Sequence, residues 1–320
     1  MGTLGDKMIR ISLGQSALFS VTAIALLGCQ PEADPIVDSA TAPVGSLPRY
    51  FDCLDAAGVP IISAHRGGPM AGYPENALPT FKRTTSLTGA LLEVDVTTSA
   101  DGVLFLHHDD TLNRTTTGSG LAAETSWEKL RTYSLRDTER RVTAYGLTRL
   151  DEALEWADGK AILQLDIKRG TDYDDVAEVV KAAGAEARII PIAYTAGQAF
   201  ALTRRFPTSM LSVHVSTVDD VERYVDNGTS ADRLLAWTGN KKTDPALYQQ
   251  LDDAGVEVIF GTLGGRSSID KDIAASGSDD RYQEIVAQGV DVLATDRPMS
   301  AFEVLKDEAH AKRITSCGGG

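Results

Sequence analysis

Cysteine is scarce, with three among 320 residues. That excludes a small disulfide-stapled scaffold, and a chain this long carries enough apolar material for a full core. Positive charge is also short. Thirty-one Lys and Arg stand against 45 Asp and Glu, a net of −14. A broad surface for nucleic acid or another polyanion is excluded, which leaves room only for a local cationic pocket. The apolar stretch Ala17 to Leu27 falls short of the roughly 20 residues that a comfortable bilayer crossing needs. The domain has no internal repeat and no low-complexity segment. A dinucleotide fingerprint is missing too. Gly67 and Gly68 follow the first β-rich run, but Pro69 and Pro74 come next, so no helix opens on those glycines.

What is present begins with an address. Lys7 and Arg10 form a basic n-region ahead of the apolar stretch, so residues 1–28 read as a cleaved export signal. The signal ends Leu26-Leu27-Gly28-Cys29, which resembles a bacterial lipobox with Cys29 as the lipidated residue. Ordinary signal cleavage beside a chance cysteine is the alternative. Gln30 follows, with no Asp to retain the protein at the inner membrane. The periplasmic side of the outer membrane is therefore the expected location, and the lipid the only membrane contact. Residues 29–49, rich in Pro, Ala, Asp and Ser, read as a flexible tether, and residues 317–320 as a frayed tail. Cys53 and Cys317 flank the intervening domain. In an oxidising compartment they either bridge or remain as two buried thiols.

Residues 50–316 alternate short β-rich runs with amphipathic stretches, the pattern of βα units on a parallel sheet. Eight runs stand out: Val59–Ser63, Leu91–Val96, Ala161–Ile167, Arg188–Tyr194, Met210–Val215, Arg233–Trp237, Val256–Phe260 and Val290–Ala294. Helical stretches fall near residues 78–87, 173–183, 218–226, 245–254 and 281–288. Eight units in roughly 250 residues predict a closed (β/α)8 TIM barrel. Gly102 to Tyr145 is too long for one crossover and reads as an insertion after strand two, lying over the active face.

Residues at the carboxyl ends of barrel strands converge on one mouth. His65 and Arg66 follow strand one, and Glu93 and Asp95 sit two apart on strand two, so they share a face. Asp166 and Lys168 do the same on strand three, and His108 lies in the insertion. Three crowded carboxylates cannot all stay ionised without a cation. An all-oxygen set with no nearby cysteine suits one hard divalent ion, Mg²⁺ or Ca²⁺. Arg66 and Lys168 would hold an anionic phosphodiester, and two imidazoles can divide the proton transfers. Taken singly, each motif has a plainer reading: Glu-x-Asp as a solvated strand face, His-Arg as chance. His107, His214 and His310 are read as structural or surface residues.

These residues, in order and spacing, resemble the glycerophosphodiester phosphodiesterase family. The resemblance runs through His65-Arg66-Gly67, Pro74-Glu75-Asn76, Phe81, Glu93-Val94-Asp95, Asp101-Gly102 and His108-Asp109, with Leu112, Arg114, Thr115 and Thr116 following. It continues in Leu165-Asp166-Ile167-Lys168 and closes with Gly289-Val290-Asp291 through Thr295-Asp296-Arg297-Pro298. It implies His65 and His108 as the acid/base pair and Glu93, Asp95 and Asp166 as metal ligands. Arg66 and Lys168 would contact phosphate, and Glu75 and Asn76 would shape the loop above strand one and touch the metal site or the substrate. The implied reaction has a hydroxyl of the substrate's own glycerol displace the alcohol. Water then opens the cyclic phosphate to sn-glycerol 3-phosphate.

Two positions depart from the family pattern. Asp166 stands where glutamate is usual, and Phe260-Gly261-Thr262-Leu263-Gly264 replaces a Trp-Thr-Val-Asn stretch whose tryptophan packs on glycerol. Phe260 is expected to take over that packing. Two rival functions remain open at this stage: a phospholipase D-like enzyme forming a cyclic phosphate from sphingomyelin or lysophospholipid, and a lipoprotein that binds phosphodiesters without turnover.

Overall fold

A computed structural model describes residues 46–307 and 309–318, and all of them fall in one compact unit. The export signal, Cys29 and most of the tether lie outside the described residues. Eight parallel strands close on themselves: β1 (Ile61–Ala64), β2 (Leu91–Thr98), β3 (Leu163–Ile167), β4 (Ile189–Ala193), β5 (Leu211–His214), β6 (Leu234–Trp237), β7 (Glu257–Gly261) and β8 (Val292–Thr295). β1 pairs with β8 on one side, Ile61 opposite Val292, and with β2 on the other, Ser63 opposite Leu91. The expected TIM barrel is the fold. Every anticipated strand is present, with ends shifted by up to two residues.

The period of two along each strand separates two cores. One face packs outward on the helices through Leu92, Val94, Leu163, Leu165, Val213, Ala236, Val258, Phe260 and Leu293. The other fills the barrel with Ile61, Leu91, Ile190, Met210, Leu235, Ile259 and Val292. Helix Leu47–Ala56 plugs the lower end of this inner core with Leu47, Tyr50, Phe51 and Leu54. Two boundaries therefore need correction. The expected tether to residue 49 stops short, because Leu47 and Pro48 are buried in that helix. The expected tail begins later, because helix His310–Gly318 carries Cys317. The two helices are joined by a Cys53–Cys317 disulfide with Cα atoms 5.6 Å apart. No helix among the described residues is long and apolar enough to cross a membrane.

The insertion after β2 turns back on it. Strand Leu104–Leu106 pairs antiparallel with β2, Val96 opposite Leu106. Helix Trp127–Leu130 and a hairpin of Ser134–Arg136 with Val142–Gly146 then fold over a small core of their own, built on Phe105, Leu112, Leu130 and Leu135. This core holds the loop carrying His107 and His108 against the barrel rim, where the His107 N–H donates to the Asp95 carbonyl at 2.9 Å.

At the opposite end Glu257 and Asp291 are packed together near Asp55 and Asp252. Burial first, and then repulsion from Asp291 and Asp55, pushes Glu257 up to about 9. Burial likewise pushes Asp291 up. A folded-state pKa raised above the unfolded value means that the folded chain binds the extra proton, so stability is present at low pH and lost as pH rises toward 9. Glu257→Gln should therefore give a melting temperature that falls less steeply between about pH 6 and pH 9. Parallel curves for wild type and variant would refute this. The disulfide closes a loop of 264 residues. Replacing both cysteines by serine should lower unfolding free energy by about 2–4 kcal/mol in denaturant titrations while leaving the far-UV spectrum unchanged.

Candidate active site

The carboxyl ends of the strands enclose a cavity of about 480 Å³ whose walls include His65, Glu93, Asp95, His108, Asp166 and Lys168. Strand register brings the acids together. Asp95 on β2 lies directly opposite Asp166 on β3, and Glu93 is one inward step below Asp95. One carboxylate oxygen from each lies within 4.8 Å of the others, and all three residues are at most 8% exposed. Burial, followed by repulsion from Asp95, pushes Glu93 up to about 8. Asp95 goes the other way despite burial, held low by the Lys168 ammonium and then by His108.

Each acid is aimed by neighbours. Glu93 accepts from the Arg66 backbone N–H at 2.7 Å. Asn76 clasps Asp95, its amide donating to Oδ2 at 2.7 Å and its Oδ1 accepting from the Asp95 N–H at 3.0 Å. Lys168 Nζ lies 2.6 Å from Asp95 Oδ1 and 2.7 Å from Asp166 Oδ2. Lys168 thus bridges the two acids with its single ammonium. Three buried carboxylates, each with an oxygen within 4.8 Å of the others, make an all-oxygen set that fits a hard divalent cation. Asp166, though shorter than glutamate, reaches the cluster, and its Oδ2 also accepts from the Tyr194 hydroxyl at 2.9 Å.

The two imidazoles are braced separately. His65 Nδ1 is 2.6 Å from Asp296 Oδ1, just past β8, and the Gly264 N–H donates to the other Asp296 oxygen at 3.1 Å. Burial opposes a charge on His65, but the Asp296 bond and the Glu93 charge outweigh it, so its pKa is raised. The backbone there requires glycine. Arg66 has φ 53° and Gly67 φ 80°, and a Cβ on Gly67 would strike the Phe81 ring. His108 Nδ1 is 2.7 Å from Asp109 Oδ1. Arg114 grips Asp109 at 2.6 and 2.8 Å and Glu75 at 2.7 Å twice, while Arg66 adds a 3.1 Å bond to Glu75. The Arg114 guanidinium holds Asp109 well below the usual carboxylate range.

Most anticipated residues meet at this mouth, but not all face the cavity. Glu75 and Asn76 stand behind it as braces for His108 and Asp95, and Arg66 sits behind Glu75 and Asp95, its Nε 3.8 Å from Asp95 Oδ2. Phe260 requires correction. It is fully buried and points outward onto the helices, because its parity on β7 is that of Val258. The inward position is Gly261, and Trp237 from β6 fills that space so closely that a Cβ on Gly261 would meet the indole. Trp237 thus supplies the aromatic wall of the cavity. His107 is buried, bonded to the Thr111 carbonyl at 3.0 Å, and His310 packs on Phe302. His214, read as a structural or surface residue, is exposed and lines the cavity beside Ser212. Sequence reasoning also assigned no role to Asp296, Asp109, Arg114 or Tyr194. The first three lie inside quoted motifs, and Tyr194 and Trp237 directly end predicted strands, which was the available signal.

A closed barrel that sets two braced imidazoles and a lysine around three buried acids defines a class of (β/α)8 proteins equipped to handle an anionic substrate. Residues 65–300 match the Glycerophosphoryl diester phosphodiesterase family, and the chain belongs to it. A solved glycerophosphoryl diester phosphodiesterase from Parabacteroides distasonis is 32% identical, with TM-score 0.76 over 83% of this chain and 93% of that one. A phosphodiesterase from Oleispira antarctica, solved with the product sn-glycerol-3-phosphate, shares the fold at 19% identity and TM-score 0.61, over 79% and 99% of the two chains. The glycerophosphoinositol inositolphosphodiesterase of Mus musculus is 42% identical over 71 residues, 22% of this chain but only 13% of that protein's length.

If the acids bind a cation, calorimetry should detect one Mg²⁺ or Ca²⁺ per chain. Asn76→Ala, which frees Asp95 without removing a ligand, should weaken that binding about 10–100-fold. Unchanged affinity would show that Asp95 is not a ligand.

Proposed function

We propose that this protein hydrolyses glycerophosphodiesters to sn-glycerol 3-phosphate and an alcohol. One observation carries the reading: the acid cluster and both carboxylate-braced imidazoles line one cavity, as an in-line displacement at phosphorus demands. Glu93, Asp95 and Asp166 would hold one divalent cation, Mg²⁺ or Ca²⁺. When bound, that cation supplies charge neutralisation for the phosphoryl oxygens. The Lys168 ammonium adds a second positive charge at the same oxygens. One imidazole accepts the proton of the attacking glycerol hydroxyl, and the other gives a proton to the departing alkoxide. The roles then reverse as water opens the cyclic phosphate. Asp296 and Asp109 hold each ring in one orientation, so neither must be reorganised during the reaction. The product named for the Oleispira antarctica protein agrees with this outcome.

The braced imidazole pair favours turnover over mere binding, and an acid/base pair has no purpose in a lipoprotein that only binds phosphodiesters. Export as a lipoprotein through Cys29 is part of the proposal, with the substrate as the partner in the periplasm. The Cys53–Cys317 bridge supports it, because such bonds persist in oxidising compartments.

Assays of glycerophosphocholine and related diesters should show activity with Mg²⁺ or Ca²⁺ and none with chelator. His108→Ala should lower kcat by about 10²–10⁴-fold with the fold intact. A wild type inert toward the whole panel, or a fully active His108→Ala, would overturn the reading.

A further inference from the structure

A second hollow, about 610 Å³, adjoins the reactive cavity and shares Asp166, Lys168 and Tyr194 with it. It runs between the loop leaving β3 and helix Ala196–Arg205. A phosphodiester has two arms, and the cavity around the acids is walled by Trp237 and Leu263 on the side away from this groove's shared residues. An arm leaving the phosphate past Asp166 and Tyr194 enters this groove.

The charges in the groove are unequally committed. Lys168 is engaged with Asp95 and Asp166. Arg205 is spent on Asp174, at 2.6 and 2.9 Å, and its guanidinium covers the Tyr173 ring at 6.0 Å. Asp172 is turned to its own helix, accepting from the Asp174 N–H at 2.8 Å. Arg169 is exposed and makes no ion pair or hydrogen bond among the described residues. Gln198 uses its carboxamide oxygen on the Tyr194 N–H at 3.0 Å, which leaves its NH2 to donate. The groove therefore offers an uncommitted guanidinium and an amide donor.

We propose that this groove is the subsite for the leaving alcohol, and that it selects alcohols bearing their own negative charge, such as a phosphorylated polyol, over choline. The inference rests on the glycerophosphodiesterase reading above. Arg169 provides the charge and Gln198 the hydrogen bond. Neither residue touches the acids or the imidazoles, so both act on substrate choice.

The test compares glycerophosphoinositol 4-phosphate with glycerophosphocholine in steady-state kinetics with Mg²⁺, for wild type, Arg169→Glu and Arg169→Lys. The wild type should prefer the charged substrate in kcat/KM. Arg169→Glu should lower that preference about five- to tenfold, chiefly through KM, as expected for a solvent-facing charge contact. Arg169→Lys should restore most of it. A preference unmoved by Arg169→Glu, or a wild type that favours the choline diester, would overturn the groove assignment while leaving the reaction class standing. A wild type that cleaves neither substrate would overturn both.

Discussion

Three carboxylates buried at one point repel one another, and the rest of the molecule is arranged around holding them there. The register of β2 against β3 sets Asp95 opposite Asp166, with Glu93 one inward step below. Removing such groups from water costs several kcal/mol each unless charge or hydrogen bonds compensate. Here compensation comes from Lys168, Asn76 and the Arg66 backbone, and it is incomplete. Burial, and then repulsion from Asp95, leaves Glu93 tending to bind a proton. The cluster has the features of a cation site, with acids too close for water alone to reconcile.

The imidazoles depend on a second level of order. His108 is held by Asp109, Asp109 by Arg114, and Arg114 by Glu75, which also receives Arg66. This chain crosses from the insertion to the loop after β1, so the insertion's own small core helps to position a group of the reactive cavity. His65 is anchored across the barrel seam by Asp296, from just beyond β8. The two rings are thus fixed by different ends of the sequence, and closure of the barrel makes them neighbours. Glu75, expected near substrate, acts through other side chains instead.

Stability and chemistry occupy opposite ends. The lower end carries the plug helix, the disulfide and a half-buried acidic pair, and none of these borders the cavity of the acids. The upper end is formed by loops of polar residues. One exchange between neighbouring strands shapes the pocket: Gly261 withdraws its side chain and Trp237 occupies the space. The aromatic wall of the cavity comes from the sixth strand, and Phe260 on the seventh faces away from it.

Much of this was legible from residue order. Alternating β-rich and amphipathic segments determined the barrel, and strand parity determined that Glu93 and Asp95 face inward together, because both depend on local periodicity. Parity also placed Phe260 outward, and setting that parity aside for a family pattern produced the wrong expectation. Helices Leu47–Ala56 and Ala196–Arg205 were not anticipated, the first because its residues border a Pro-rich tether. What the tertiary structure alone decided were the relations between distant segments: Asp296 on His65, Arg114 joining Glu75 to Asp109, Trp237 over Gly261, and Cys53 against Cys317. Such contacts arise from ring closure and side-chain direction, and linear spacing carries no measure of either.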